Sequence, residues 1–304
     1  MIFLSISFLG FLSFLTSSFT LLNWLFKTFL RPPKNLNQTY GSWALITGAT
    51  DGIGKAFAHQ LAKQGLNLVL LGRNSTKLTN VKNEIESESP NSEIRTLICD
   101  FSSGDGIEIE RRIKEGVEGL DLGVLINNAG ITYPQASFFH EIDEEAWMEI
   151  VRVNLEGTTR VTRAVLDGMI RRKRGAIVNI GSGSAIVVPS HPLFTVYAAT
   201  KAYIDQLSRC LYVEYKSYGI DVQCQVPLYV ATKMTSRVAR IEKTSMFVPS
   251  AIEYAKAAIY HIGYEERCTP YWPHSLQWFF ASLVPPSFLD SWRLSIGISR
   301  KLST

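Results

Sequence analysis

Cysteine is scarce in this 304-residue chain: Cys99, Cys210, Cys224 and Cys268 stand far apart, with no CxxC pair. That spacing excludes a disulfide framework and a thiolate zinc centre, so the thiols read as ordinary ones in a reducing compartment and no metal is expected. Charge is also sparse, at 19% of residues with a net +4 at pH 7, too mild an excess to point to nucleic acid. It suits a chain that lies beside an anionic membrane face or handles acidic cofactors. No internal repeat, charge run or low-complexity segment stands out. The 46% of hydrophobic residues instead provide for one sizeable core.

No charged side chain occurs before Lys27. Residues 2–30 are almost wholly apolar, Ser or Thr, and at a rise of ~1.5 Å per residue they are long enough to cross ~30 Å of hydrocarbon. Nothing basic precedes the run, and the flank Leu30-Arg31-Pro32-Pro33 lacks a small-residue cleavage site, so the stretch reads as an anchor rather than a cleaved signal. Lys27, Arg31 and Lys34 lie on its C-terminal side, which by the positive-inside rule places the rest of the chain in the cytosol. The acceptors Asn37-Gln38-Thr39 and Asn74-Ser75-Thr76 are then chance matches to a glycosylation motif. Residues 31–42, polar and holding two prolines, read as a linker. Residues 275–298 are rich in Trp, Phe and Leu, but Pro285-Pro286, Asp290 and Arg293 interrupt them. They read either as an interfacial segment or as a cap on the domain.

From residue 43 the pattern changes. The apolar run 43–46 opens into Thr47-Gly48-Ala49-Thr50-Asp51-Gly52-Ile53-Gly54, an amphipathic stretch covers 55–64, and a second apolar run covers 67–71. This is the strand, glycine turn, helix and strand of a βαβ unit, in which glycines let the backbone approach a pyrophosphate held at a helix N-terminus. Where an NAD-binding fold offers an acidic residue to the ribose, this chain offers Arg73, which suits a 2′-phosphate. Helices near 77–88 and 107–118 alternate with strands at 95–99 and 124–126, which predicts a parallel sheet covered on both faces. Asp100 and the tetrapeptide Asn127-Asn128-Ala129-Gly130 fall at strand ends, where ligands collect in such sheets.

A strand at 176–180 ends in Gly181-Ser182-Gly183-Ser184, and a helix then starts near Tyr197. Tyr197 and Lys201 are four residues apart, hence neighbours on one helix face, and a nearby ammonium lowers a phenol's pKa from its ordinary ~10. The ordered set TGxxxGIG, NNAG, the helical Asn154, a serine after a strand and YxxxK resembles the short-chain dehydrogenase/reductase family over about residues 43–250.

The likeness implies an α/β fold, a Rossmann-type doubly wound parallel sheet with helices on both faces, preceded here by a transmembrane helix. It implies NADPH as cofactor, met by Gly48, Thr50, Asp51, Gly52, Ile53, Gly54, Arg73, Asp100, Asn127, Ala129, Gly130, Tyr197, Lys201 and Thr232. As catalytic residues it implies Tyr197, Lys201, a serine, and Asn154 holding a water. Counting thirteen residues back from the tyrosine picks Ser184, whereas the strand end picks Ser182, the first choice. Pro227-Leu228 departs from the family's usual Pro-Gly.

Within the family the chain is similar to microsomal very-long-chain 3-oxoacyl-CoA reductases and related 17β-hydroxysteroid dehydrogenases, through residues 50–58, 180–183 and 219–234. That implies reduction of the 3-oxo group of a long-chain acyl-CoA, with a steroid or other lipid ketone as alternative and a catalytically silent NADPH-binding partner as a second. Residues 229–272, with Met234, Met246, Phe247 and Tyr254, are expected to form a substrate lid, its helix opened by the capping box Ser250-Ala251-Ile252-Glu253. Arg237, Arg240 and Lys243 are the candidates for a basic CoA entrance. Expected boundaries are an anchor at 1–30, linker at 31–42, NADP-binding domain at 43–270 and an apolar, membrane-associated or capping tail at 271–304. The expected location is the endoplasmic reticulum membrane. Other elongase components and a second copy of the chain are left open as partners.

Overall fold

A computed structural model describes residues 2–302 apart from Gly104, and of residues 2–6 only the backbone. The chain divides into two units, which meet between Pro33 and Lys34. The first is a helix, α1 (Ile2–Leu25), continued by a π-type turn over Phe26–Leu30. Among the described residues it is the one helix long and apolar enough to cross a membrane, by length and composition, with mean hydropathy 1.4 over Ser7–Leu30.

The second unit opens with α2 (Leu36–Tyr40), inside the stretch expected to be linker. Asn35 caps it by accepting from Gln38 N–H, and Leu36 and Tyr40, four residues apart, are buried. The Tyr40 hydroxyl donates to Asp221 Oδ2 at 2.5 Å, and Lys34 reaches the same oxygen at 2.9 Å. A one-turn helix has only two inward positions, too few for a period to be read from sequence.

The sheet has seven parallel strands in the order β3-β2-β1-β4-β5-β6-β7. Its first half runs β1 (Trp43–Thr47), α3 (Gly52–Lys63), β2 (Asn67–Gly72), α4 (Ser75–Glu88), β3 (Ile94–Ile98), α5 (Gly106–Gly116) and β4 (Leu122–Asn127). The second runs α6 (Glu144–Val151), a π turn (Arg152–Gly157), α7 (Thr158–Arg172), β5 (Gly175–Ile180), α8 (Gly183–Ile186), α9 (Thr195–Tyr215), β6 (Ile220–Gln225), α10 (Lys233–Ala239), α11 (Ala251–Tyr260) and β7 (Arg267–Cys268). Strands β1, β4 and β5 are buried along their whole length, as expected of strands covered on both faces.

Side chains alternate across β1, so Ile46 joins a core with Phe57, Leu61 and Tyr254 on one face while Leu45 joins Ile113, Val161 and Met169 on the other. Each fully buried side chain of this size contributes about 1.5–3 kcal/mol. Strand order reverses at β1, whose neighbours are β2 and β4, and the crevice at the C-terminal ends of β1 and β4 is the place where such sheets bind ligands.

The apolar tail folds as α12 (Trp272–Ser282) and α13 (Pro286–Leu302), broken at Pro285-Pro286. It caps the second unit: His274 is fully buried and accepts at Nδ1 from Leu228 N–H at 3.3 Å. Phe279, Phe280, Phe288 and Trp292 of the tail remain exposed.

Candidate active site

The glycine turn after β1 is dictated by space. Gly48 and Gly52 have φ of +64° and +52°, and a Cβ on Gly54 would lie 2.3 Å from Gly48 O. Asp51 caps α3, accepting from Gly52 N–H at 2.8 Å and from Lys233 at 2.6 Å. Partial burial alone raises its carboxyl, but these two bonds outweigh it and hold the group below the ordinary carboxylate range. Thr232, the N-cap of α10, packs against Gly52.

The turn after β4 is tied to the first. Thr47 Oγ1 accepts from the N–H groups of Asn128 (3.0 Å) and Ala129 (2.9 Å), and Asn128 Nδ2 donates to Thr47 O and Gly48 O. Asn127 departs from expectation: its side chain is buried against Thr162 and Asn179, at 2.9 and 2.8 Å, and does not line the cavity. As a strand residue it faces inward, and its neighbour Asn128 faces the crevice instead.

Asn154 lies in the π turn rather than in regular α-helix. Its Oδ1 accepts from Ile131 N–H at 2.8 Å, and its Nδ2 donates to Ile131 O at 2.9 Å and Thr200 Oγ1 at 3.1 Å. A Cβ on Gly130 would sit 3.3 Å from Asn154 Oδ1 and 3.5 Å from Lys201 Nζ, so glycine there lets the loop, the π turn and α9 converge.

Tyr197 and Lys201 share one face of α9. The Lys201 ammonium lies 6.0 Å from the Tyr197 ring centre and donates to Ile180 O at 2.8 Å. Ser182, the N-cap of α8, lines the same cavity as Tyr197, while Ser184 donates to Ser182 Oγ at 2.8 Å. Burial disfavours charge on both members of the pair: it raises the Tyr197 phenol and pushes Lys201 down to about 8. A phenol held low by its lysine is therefore not what this arrangement has; loss of hydration outweighs attraction across this separation.

These residues line one cavity of about 1190 Å³. Of the expected set, Gly48, Thr50, Asp51, Gly52, Ile53, Arg73, Asp100, Ala129, Gly130, Ser182, Ser184, Tyr197, Lys201 and Thr232 reach it; Gly54, Asn127 and Asn154 stand behind its wall. At one end lies Arg73, 62% exposed and 3.7 Å from Glu149, with Lys77 from the first turn of α4 beside it. At the other end are Val187, Phe194, Met234, Phe247 and Phe280.

Several expectations about that second end do not hold. Tyr254 belongs to the core, fully buried, and Met246 is exposed away from the cavity. Arg237, Arg240 and Lys243 do not line it either; beyond Arg73, Lys77, Lys201 and Lys233, the basic residues that do are Arg293 and Arg300 of α13. Sequence reading missed these two because their pairing with His191 and Tyr229, 102 and 71 residues away, leaves no local signal, and it missed Lys77 although its place one turn after the N-cap Asn74 was legible.

Fold and site together define an oxidoreductase built on a doubly wound dinucleotide-binding sheet. The sequence profile of the short chain dehydrogenase family matches residues 42–243. The chain is 58% identical to a very-long-chain 3-oxoacyl-CoA reductase-like protein of Arabidopsis thaliana over 97% of its own length and 94% of that protein. It is 42% identical to the very-long-chain 3-oxoacyl-CoA reductase of Mus musculus, covering 86% and 81% of the two chains, and 42% identical to the inactive hydroxysteroid dehydrogenase-like protein 1 of Homo sapiens, covering 83% and 74%. Among solved structures, a short-chain dehydrogenase from Sphingobium yanoikuyae in complex with NADPH superposes with a TM-score of 0.63 at 32% identity, covering 72% and 83%. The chain belongs to the short-chain dehydrogenase/reductase family.

Proposed function

We propose that this protein reduces the 3-oxo group of long-chain and very-long-chain 3-oxoacyl-CoA to the 3-hydroxy group, with NADPH as reductant, as part of fatty-acid elongation at the endoplasmic reticulum membrane. The observation that carries the reading is one cavity with Tyr197, Ser182 and Lys201 between a basic, glycine-walled end and an apolar end. The relatives named 3-oxoacyl-CoA reductase and the neighbour solved with NADPH support it.

The residues at the first end fit that cofactor. The glycine turn brings backbone N–H groups at the start of α3 to a pyrophosphate, and Arg73 and Lys77 offer cations to a 2′-phosphate. NADPH, when bound, supplies the hydride. Tyr197 then donates its phenolic proton to the carbonyl oxygen, and that oxygen is also held by Ser182. Burial suits the phenol to this work, because it keeps the proton on Tyr197 until a stronger base develops on the substrate. Ser184 fixes the Ser182 hydroxyl, Lys201 holds ribose, and Asn154 braces α9 through Thr200.

The test is NADPH oxidation by the detergent-solubilised protein, with a long-chain 3-oxoacyl-CoA and a 17-ketosteroid offered separately. Tyr197→Phe is expected to lower kcat about 10²–10⁴-fold with NADPH affinity retained, since only the proton donor is lost. Full turnover by that variant would remove Tyr197 from its role. Turnover of the steroid alone would move the protein to the hydroxysteroid reading, and tight NADPH binding without turnover would favour a silent partner like the inactive relative.

A further inference from the structure

The substrate half of the cavity carries a cationic wall that reduction of a ketone does not call for. Arg293 of α13 is only 8% exposed, yet among the described residues it enters no ion pair, and its Nε has no hydrogen-bond partner. Its other contacts are to uncharged rings. One nitrogen donates to the His191 imidazole at 2.6 Å, and the guanidinium lies 5.9 Å from the Trp292 ring centre. The His191 ring is neutral, its pKa pushed down to about 3 by burial and then by Arg293 and Arg300. Asp290, one turn earlier on α13, is engaged by Ser190.

Two turns further along α13, Arg300 donates to the Tyr229 hydroxyl at 3.2 Å and lies over its ring at 5.7 Å. Arg293 and Arg300 line the same cavity, and Trp292, which lines it with them, is half exposed, so this wall reaches solvent. A buried guanidinium without a counter-charge is costly unless an anion completes it.

We propose that Arg293 and Arg300, positioned by His191 and Tyr229, form a subsite that receives a phosphate group of the CoA portion of the substrate. The inference rests on the acyl-CoA reading above, and it deepens that reading: CoA's only anionic groups are its phosphates. The cofactor's phosphates belong to the opposite end, with Arg73 and Lys77. Because α13 lies beyond the matched stretch 42–243, this selectivity is built by the tail and not by the common domain.

Three measurements on the full-length, detergent-solubilised protein test the subsite: titration with free CoA, titration with NADPH, and kinetics with one 3-oxoacyl chain offered as its CoA thioester and as its N-acetylcysteamine thioester, which lacks phosphate. Arg300→Gln, at a partly exposed position, spares the buried network, and Arg293→Lys keeps its charge but loses the planar fork. Each is expected to weaken CoA binding about 10- to 100-fold and to lower discrimination between the two thioesters by a similar factor. Unchanged CoA affinity, a loss falling on NADPH instead, or an equal loss for both thioesters would overturn the subsite. Wild-type protein that binds CoA but turns over neither thioester would leave the subsite standing while the proposed reaction fails.

Discussion

Lys201 is the residue at which burial and chemistry meet most directly. Its ammonium is 6% exposed, satisfied by Ile180 O, and its pKa is pushed down to about 8 by burial. An unfolded lysine titrates near ~10.4, so between those values the unfolded chain binds more protons, and stability rises with pH across that window; below about 8 the full cost of burying the charge is present. Under the proposed mechanism the charged form is the one that binds the nicotinamide ribose. The expected outcome is that kcat/KM for NADPH, which reports the free enzyme, is flat below about 8 and falls roughly tenfold per pH unit above it. Tyr197 does not blur the profile, because its phenol is raised above its ordinary value. A profile flat to pH 10 would show that Lys201 stays charged or does not serve NADPH. The residue scale is also where sequence ran out for the serine: counting residues could not separate Ser182 from Ser184, since the difference lies in which hydroxyl the N-terminal turn of α8 presents to Tyr197 and which it stacks behind.

At the scale of elements, long periodic segments were legible and short or conditional ones were not. Strands β1, β2, β4 and β5 and helices α3, α4, α9 and α11 follow from apolar runs, alternation with helices and a complete Ser250–Glu253 capping box. The π turn at Asn154 was hidden, because nothing in Val153-Asn154-Leu155 distinguishes it from α-helix; the second hydrogen-bond set that selects it comes from Ile131 and Thr200. α2 was hidden because its single turn has too few inward positions to show a period, and its anchoring can be measured. Tyr40→Phe keeps the buried ring but removes the hydroxyl that donates to Asp221, leaving Lys34 as that carboxylate's partner. A hydrogen bond to a charged group contributes about 1.5–3 kcal/mol, so the midpoint of thermal unfolding is expected to fall about 3–10 °C, read by calorimetry. NADPH affinity should be little affected, because Tyr40 lies outside the cavity lining. An unchanged midpoint would show that α2 is held by Leu36 and the ring alone.

For the whole molecule, membrane orientation can be argued from the cofactor end of the cavity. Asn74 begins an Asn-Ser-Thr acceptor, yet it is the N-cap of α4, accepting from Lys77 N–H at 2.9 Å, and it lines the cavity beside Arg73. A glycan attached to that amide would occupy the space proposed for the adenosine phosphate and would pull the cap away from the helix. The other acceptor, Asn37, spends its side-chain amide on Gly65 O at 3.1 Å. Under the proposed function an active enzyme is expected to carry no glycan at Asn74, which is the outcome that the positive-inside reading of Lys27, Arg31 and Lys34 also predicts. In microsomes that carry the full-length protein, alkaline carbonate is expected to leave it in the membrane pellet, since α1 and its π turn offer 24 apolar-window residues from Ser7 to Leu30. Endoglycosidase should then cause no change in its mobility, and protease added outside the vesicles should digest the domain. A glycosidase-sensitive, protease-protected chain that still oxidises NADPH would reverse the orientation, and it would also mean that the Asn74 side chain is not where the cofactor phosphate binds.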